Sequence, residues 1–257
     1  MIIGVNGKIG SGKDTIGKIA QCLINHPKIT NKDLLWMIEK DVVSEYSKCE
    51  IKKFAGKLKQ IASILSGIVA DQFEDQEFKK QYMPEEWNSF VSVDFPEMTG
   101  EEIKDSDSIL VETTYKRMTY REFLQKLGTE AMRDGLHTNV WVNALFADYN
   151  PGYTISPLDV DNQAPDKWII TDMRFPNEMD AVKERKGITI RVTRLFQTDV
   201  IDGNKVSWIP IPGVDYIAHP SETALDDAKF DYEILNDGSI EDLVKKVKEI
   251  LIKENII

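Results

Sequence analysis

The chain has 257 residues, 42% of them hydrophobic, enough for one substantial core with an inserted lid or small subdomain. A net charge of −11 and an isoelectric point near 4.9 argue against a broad phosphate-tracking surface for duplex DNA. No apolar run is long enough to span a membrane, and Cys22 and Cys49 are too few and too far apart for a CxxC motif, a metal cluster or a disulfide framework.

The N-terminus has no basic region and no cleavage signature, so no signal peptide is expected, and the two cysteines read as reduced thiols of a cytoplasmic protein. Strand and helix alternate along most of the chain, which argues for a parallel α/β sheet. Residues 2–5 form a short apolar strand. A glycine-rich turn follows, then a helix with Ile16, Ile19, Ala20 and Leu23 on one face. A second strand is expected at 51–54, after which Leu58, Ile61, Ala62, Leu65, Ile68 and Val69 recur at helical spacing. From 71 to 116 the chain is acidic and aromatic, contains Pro84 and Pro96, and loses periodicity. That stretch reads as an insertion over the substrate side, or equally as a solvated irregular excursion.

Thr119, with Glu122 three residues on, is a capping box that opens a helix reaching Arg133. Residues 168–171 read as a buried strand ending at Asp172, and 188–192 as another after Gly187. Residues 196–230, with Pro210, Pro212, Gly213 and Pro220, read as a long mobile excursion suited to a lid. A strand at 232–235, the turn Asn236-Asp237-Gly238 and a final helix close the chain. Ser239 is the expected N-cap, and Ile240, Leu243, Val244, Val247, Ile250 and Leu251 the buried stripe. Without repeats or low-complexity tracts, 1–257 reads as a single domain.

Gly7-Lys8-Ile9-Gly10-Ser11-Gly12-Lys13-Asp14-Thr15 carries the strongest local chemistry. In a GxxxxGK pattern the glycines let consecutive backbone N–H groups turn onto phosphate oxygens. The helix opening at Lys13 adds its positive end, and Lys13 would neutralise terminal phosphates. Asp14 stands where Ser or Thr commonly holds Mg²⁺, with a hydroxyl one residue later at Thr15. A carboxylate can serve the same ion directly or through water. An incidental strand–helix turn is the alternative.

Arg121, Gln125 and Thr129 recur at i, i+4 and i+8, with Gly128 on the same stripe and Phe123, Leu124 and Leu127 opposite. Such a stripe suits a phosphate and hydrogen bonds to a base or sugar, and it equally suits a solvated face. Trp141 could stack on a base or simply fill the core. The strand ending at Asp172 resembles a Walker B element, placing a carboxylate at the carboxyl edge of the sheet, where open parallel sheets bind ligands. Asp172 there could hold Mg²⁺ through water, orient an attacking group, or cap a helix. Arg174 is a candidate clamp on a transferring phosphoryl group, with Glu178 orienting it or touching the acceptor. Arg191 and Arg194 precede the proline-rich excursion, and Arg194 is the choice for an arginine delivered by a lid. His26, His137 and His219 have no metal-binding spacing.

These segments resemble the phage deoxynucleoside monophosphate kinases, relatives of the cellular nucleoside monophosphate kinases in the P-loop class. The resemblance rests on the glycine-rich loop, Phe54-Ala55-Gly56-Lys57-Leu58-Lys59, and Leu124-Gln125-Lys126-Leu127-Gly128-Thr129-Glu130 with Arg133 and Trp141. It continues with Asp172-Met173-Arg174-Phe175-Pro176-Asn177-Glu178 and His219-Pro220-Ser221-Glu222-Thr223. It implies a three-layer P-loop NTPase fold, a mostly parallel sheet flanked by helices, with an acceptor-binding insertion and a lid. It further implies ATP at Gly7, Gly10, Ser11, Gly12, Lys13, Asp14 and Thr15, and Mg²⁺ near Asp14, Thr15 and Asp172. A deoxynucleoside monophosphate would be handled by Arg121, Gln125, Gly128, Thr129, Arg133 and Trp141, with catalytic help from Asp172, Arg174 and Glu178. The expected partners are this substrate and, by family habit, a second copy of the chain in a cytoplasmic homodimer; neither duplex nucleic acid nor a membrane is expected. Two other readings are a kinase for another small acceptor, of the dephospho-coenzyme A or gluconate type, and a nucleotide-driven switch or motor.

Overall fold

The computed structural model describes residues 1–42, 47–94, 112–149, 167–194 and 223–257. Its elements run β1 (Ile2–Gly7), α1 (Lys13–Asn25), α2 (Asn31–Glu39), β2 (Cys49–Lys52), α3 (Ala55–Ser66), β3 (Ser89–Asp94), β4 (Glu112–Lys116) and α4 (Tyr120–Gln125). They continue with a π-helix (Lys126–Asp134), α5 (Val140–Phe146), β5 (Lys167–Ile170), α6 (Pro176–Glu184), β6 (Ile188–Thr193), β7 (Tyr232–Leu235) and α7 (Ile240–Lys253). The chain divides into two compact units, one of Met1–Gly56 with Asn139–Ile257 and one of Lys57–Thr138. The insertion expected at 71–116 thus falls inside a unit that begins earlier and ends later, and its residues 95–111 lie outside the described residues.

In the first unit five strands form one sheet in the order β2-β5-β1-β6-β7, all parallel, with Ile3 opposite Ile169 on one side and Ile188 on the other. Such a sheet is covered on both faces, so its strands are apolar almost throughout. Ile3, Val5, Ile169, Ile190, Val192 and Ile234 pack with Ile16, Ile19 and Leu23 of α1 and Leu243, Val244, Val247 and Leu251 of α7. Gly4 points the other way, where an added Cβ would touch Met173 and Val182 of α6. The helical stripes expected for α1 and α7 are buried as read, except Ile240, which at the first turn of α7 keeps 38% of its surface exposed. Ser239 caps α7 by accepting from Asp242 N while Asp242 accepts from Ser239 N.

Two elements escaped the periodicity reading. In α2 only Leu34 is fully buried, so its apolar pattern is weak, although Thr30 caps it through Asp33 N. The second strand lies at Cys49–Lys52, two residues earlier than expected, because Phe54 and Ala55 turn their N–H groups onto Asp172.

The second unit packs Ala62, Phe73, Met83, Tyr120 and Phe123 into a core of its own. Phe78 stacks on Tyr120 with ring centroids 4.5 Å apart, and Trp87 meets Phe123 edge-on at 5.1 Å. β3 and β4 pair antiparallel, a hairpin whose long 95–111 connection offers no tight-turn signal. The Thr119–Glu122 capping box is present. Beyond Gln125 the expected ordinary helix widens into the π form, with i→i+5 bonding. Residues 196–222 of the expected lid lie outside the described residues, as do His219, Ser221 and Glu222. Among the described residues no helix is long and apolar enough to cross a membrane.

Candidate active site

All five parallel strands deliver polar side chains just past their carboxyl ends: the 8–12 loop after β1, Lys53 after β2, Thr171 and Asp172 after β5, Arg194 after β6, and Asn236 after β7. The loop is shaped by glycine. Gly10 and Gly12 have φ of 78° and 97°, in the left-handed region, and a Cβ on Gly7 would lie 2.3 Å from Ser11 Oγ and 2.8 Å from Val192 O. Gly12 stands at the N-cap of α1 without a capping side chain, so the first-turn N–H groups receive no side-chain acceptor there. Ser11 Oγ is buried with no hydrogen-bond partner among the described residues. A glycine-shaped loop at a helix N-terminus, with a buried hydroxyl that lacks a partner among the described residues, suits an anion.

Beside the loop lies a pocket of about 300 Å³ whose walls include Lys8, Ser11, Arg174, Arg191, Arg194 and Asp226. Among the described residues four cations face one carboxylate, a local excess of positive charge in a chain whose net charge is −11. Lys8 Nζ pairs with Asp226 at 3.1 Å. The Arg191 guanidinium donates to the carbonyls of Leu225 and Asp226 and lies 4.3 Å from the Phe230 ring, so it anchors the 223–230 segment. Arg194 is exposed at the pocket wall.

Arg174 is placed by the turn it stands on. Glu178 is 3% exposed, and its carboxylate accepts from Arg174 N at 2.7 Å and Phe175 N at 3.1 Å, closing the start of α6. Glu178 thus holds the backbone N–H of Arg174. Asp172 likewise accepts from Phe54 N at 2.8 Å and Ala55 N at 2.9 Å, the residues that open α3. Desolvation pushes its carboxyl above the usual range, opposed by those two N–H groups and by the charges of Arg174 and Lys53. Each oxygen takes one backbone N–H, the capping contact, and keeps a further lone pair.

Asp14, in the first turn of α1, has a half-exposed carboxylate that accepts from Thr171 Oγ1 at 2.9 Å and lies 3.6 Å from Lys53 Nζ. Among the described residues no three His, Cys, Asp or Glu side chains gather as metal ligands. Magnesium held against phosphates needs only one or two protein oxygens, with water and phosphate completing the shell. The Asp14 carboxylate is one such oxygen, and Ser11 Oγ, without a hydrogen-bond partner among the described residues, is a hydroxyl on the adjoining loop.

In the second unit Arg121, Gln125 and Thr129 stay partly exposed along α4 and the π-helix, while Leu124 and Leu127 pack on the core as expected. Arg121 donates to Gln76 at 3.0 Å. A Cβ on Gly128 would come within 2.9 Å of Leu58, so the missing side chain admits a neighbouring leucine. Arg133 is buried. Trp141, in the first unit, has only 5% of its surface open. Lys53, Thr171 and Asp226 carry no motif, and Asn236 reads in the sequence only as part of a turn. Their places became visible only through partners distant in sequence.

A family model described as deoxynucleotide monophosphate kinase matches residues 1–247. The deoxynucleotide monophosphate kinase of Enterobacteria phage T4 is 30% identical over 131 residues, 51% of this chain and 44% of the T4 protein, so that match spans less than half of the relative. The deoxynucleoside-5′-monophosphate kinase of Escherichia phage T5 is 22% identical over 242 residues, covering 85% of this chain and 88% of the T5 protein. With the parallel sheet, the glycine-shaped loop and the cationic pocket beside it, this chain belongs to the deoxynucleotide monophosphate kinase family.

Proposed function

We propose that the chain transfers the γ-phosphoryl group of ATP to the phosphate of a deoxynucleoside monophosphate, releasing ADP and a deoxynucleoside diphosphate. An acceptor phosphate oxygen forms the new P–O bond while the β–γ bridging oxygen leaves with ADP. The cationic pocket continuous with the glycine-rich loop carries this reading. Both reactants are anionic, so positioning and charge neutralisation supply most of the catalysis. Lys13 and the loop N–H groups hold the ATP tail. Arg174, with Arg194, meets the charge that develops on the group in flight. Glu178 and Asp172 fix the backbone that carries Arg174 and opens α3. Asp14 and Thr15 would hold Mg²⁺, whose chemistry when bound is to neutralise phosphate charge. On the acceptor side Arg121, Gln125, Gly128, Thr129, Arg133 and Trp141 are the residues that would handle the monophosphate.

Coupled ADP release with Mg·ATP, testing dAMP, dGMP, dCMP, dTMP and their ribose counterparts singly, tests the proposal. Turnover that requires a deoxynucleoside monophosphate supports it and ranks the bases. If none is phosphorylated while ATP still binds, the acceptor assignment fails.

A further inference from the structure

Two observations meet at Asn236, the residue that follows β7. Its Nδ2 donates to the Ser11 carbonyl at 2.9 Å, across 225 positions of sequence. Its own backbone N–H donates to Thr193 O at 2.7 Å, so the main chain is anchored to the end of β6 while the amide reaches the loop. The second observation comes from Gly12. A Cβ there would lie 2.5 Å from Asn236 Nδ2, so the amide packs directly against the Gly12 backbone.

The Ser11 carbonyl and the Gly12 N–H belong to one peptide unit. No cis peptide bond occurs among the described residues, and in a trans peptide these two groups point in opposite directions. Holding the carbonyl toward Asn236 therefore aims the Gly12 N–H away from it. Unrestrained, a peptide next to a glycine at positive φ turns over at little steric cost, because no Cβ resists it. We infer that Asn236 is a positioning residue for the phosphate loop: its amide locks the Ser11–Gly12 peptide so that the Gly12 N–H is presented to the bound phosphate. An asparagine suits the task because its amide donates to a carbonyl, whereas an aspartate of the same shape sets oxygen against oxygen. The lock lowers the ordering cost on nucleotide binding, the general advantage of preorganisation.

The inference rests on the loop's being the phosphate site, and the test separates the two. ADP affinity is measured by calorimetry on the full chain and on its N236A and N236D variants, together with ligand-free Tm and the KM of the acceptor. Wild type is expected to bind ADP, and both variants to bind it about tenfold more weakly, the scale of one hydrogen bond to a charged group. N236D should be at least as impaired as N236A, with acceptor KM and Tm unchanged. Wild-type binding with equally tight binding by both variants overturns the role of Asn236. So does an equal loss for ADP and acceptor accompanied by a fallen Tm, which marks general damage. Absence of ADP binding by wild type overturns the phosphate-loop reading and this inference with it. Should neither variant fold, NMR of the unmodified protein decides. The Gly12 amide proton is expected to move downfield on adding ADP, and a resonance that stays in place refutes the inference.

Discussion

Asp172 and Arg174 stand two residues apart and differ in what holds them. Arg174 reaches the pocket with its side chain while its backbone N–H is fixed by Glu178. Replacing it with glutamine should lower kcat by at least about 10²-fold with Tm nearly unchanged, the scale for one transition-state donor. Steady-state kinetics beside a melting curve checks this, and near-normal kcat would remove Arg174 from the mechanism. Asp172 carries a pH signature. Its carboxyl is raised by desolvation above the ordinary 3.8, so the folded protein holds that proton more tightly than the unfolded chain. The resulting stabilisation is fully present below the ordinary value and lost as pH rises through the raised one. D172N should therefore flatten the fall in stability that this group imposes above about pH 4. Urea melts at several pH values are the check, and parallel curves for the two proteins count against the assignment.

At the scale of elements, caps and turns decide where side chains arrive. α7 is held at its start by Ser239 and Asp242, and it carries Leu243, Val244, Val247 and Leu251 into the core. S239A should cost about 1 kcal/mol, seen as a lower urea midpoint with an unchanged slope. Glu178 plays the same part for α6 from a buried position. E178A leaves two backbone N–H groups without their acceptor and should cost about 1–3 kcal/mol. It should also lower kcat, because the turn beneath Arg174 loosens. A normal melting midpoint in E178A would contradict that account. The capping box at Thr119 and the N-cap at Ser239 were legible in advance, since a cap is written within four residues. The β3–β4 hairpin was not, because its strands are joined through 95–111 rather than through a turn with a recognisable sequence.

For the molecule as a whole, charge placement outweighs charge total. A chain of net charge −11 gathers Lys8, Arg174, Arg191 and Arg194 around one pocket and sets Asp226 among them. The Lys8–Asp226 pair is about half exposed, so it adds little to stability, but its carboxylate opposes any anion in the pocket. D226N should tighten ATP binding by roughly 2- to 5-fold at low salt, with the gain shrinking as ionic strength rises. Titration at two salt concentrations tests this, and a salt-independent change would indicate a cause other than charge. The strand–helix alternation, the stripes of α1 and α7, the glycine-rich loop and the family resemblance were all readable from residue order. They rest on local rules: helical and strand periodicity, the left-handed freedom of glycine, and caps a few residues long. The tertiary structure alone decided that Asp172 spends its oxygens on Phe54 and Ala55, 118 and 117 positions away, and that Asn236 grips the loop from 225 positions away. A hydrogen bond depends on where two groups stand in space, and no spacing along the chain encodes a partner brought near by the folding of a whole sheet.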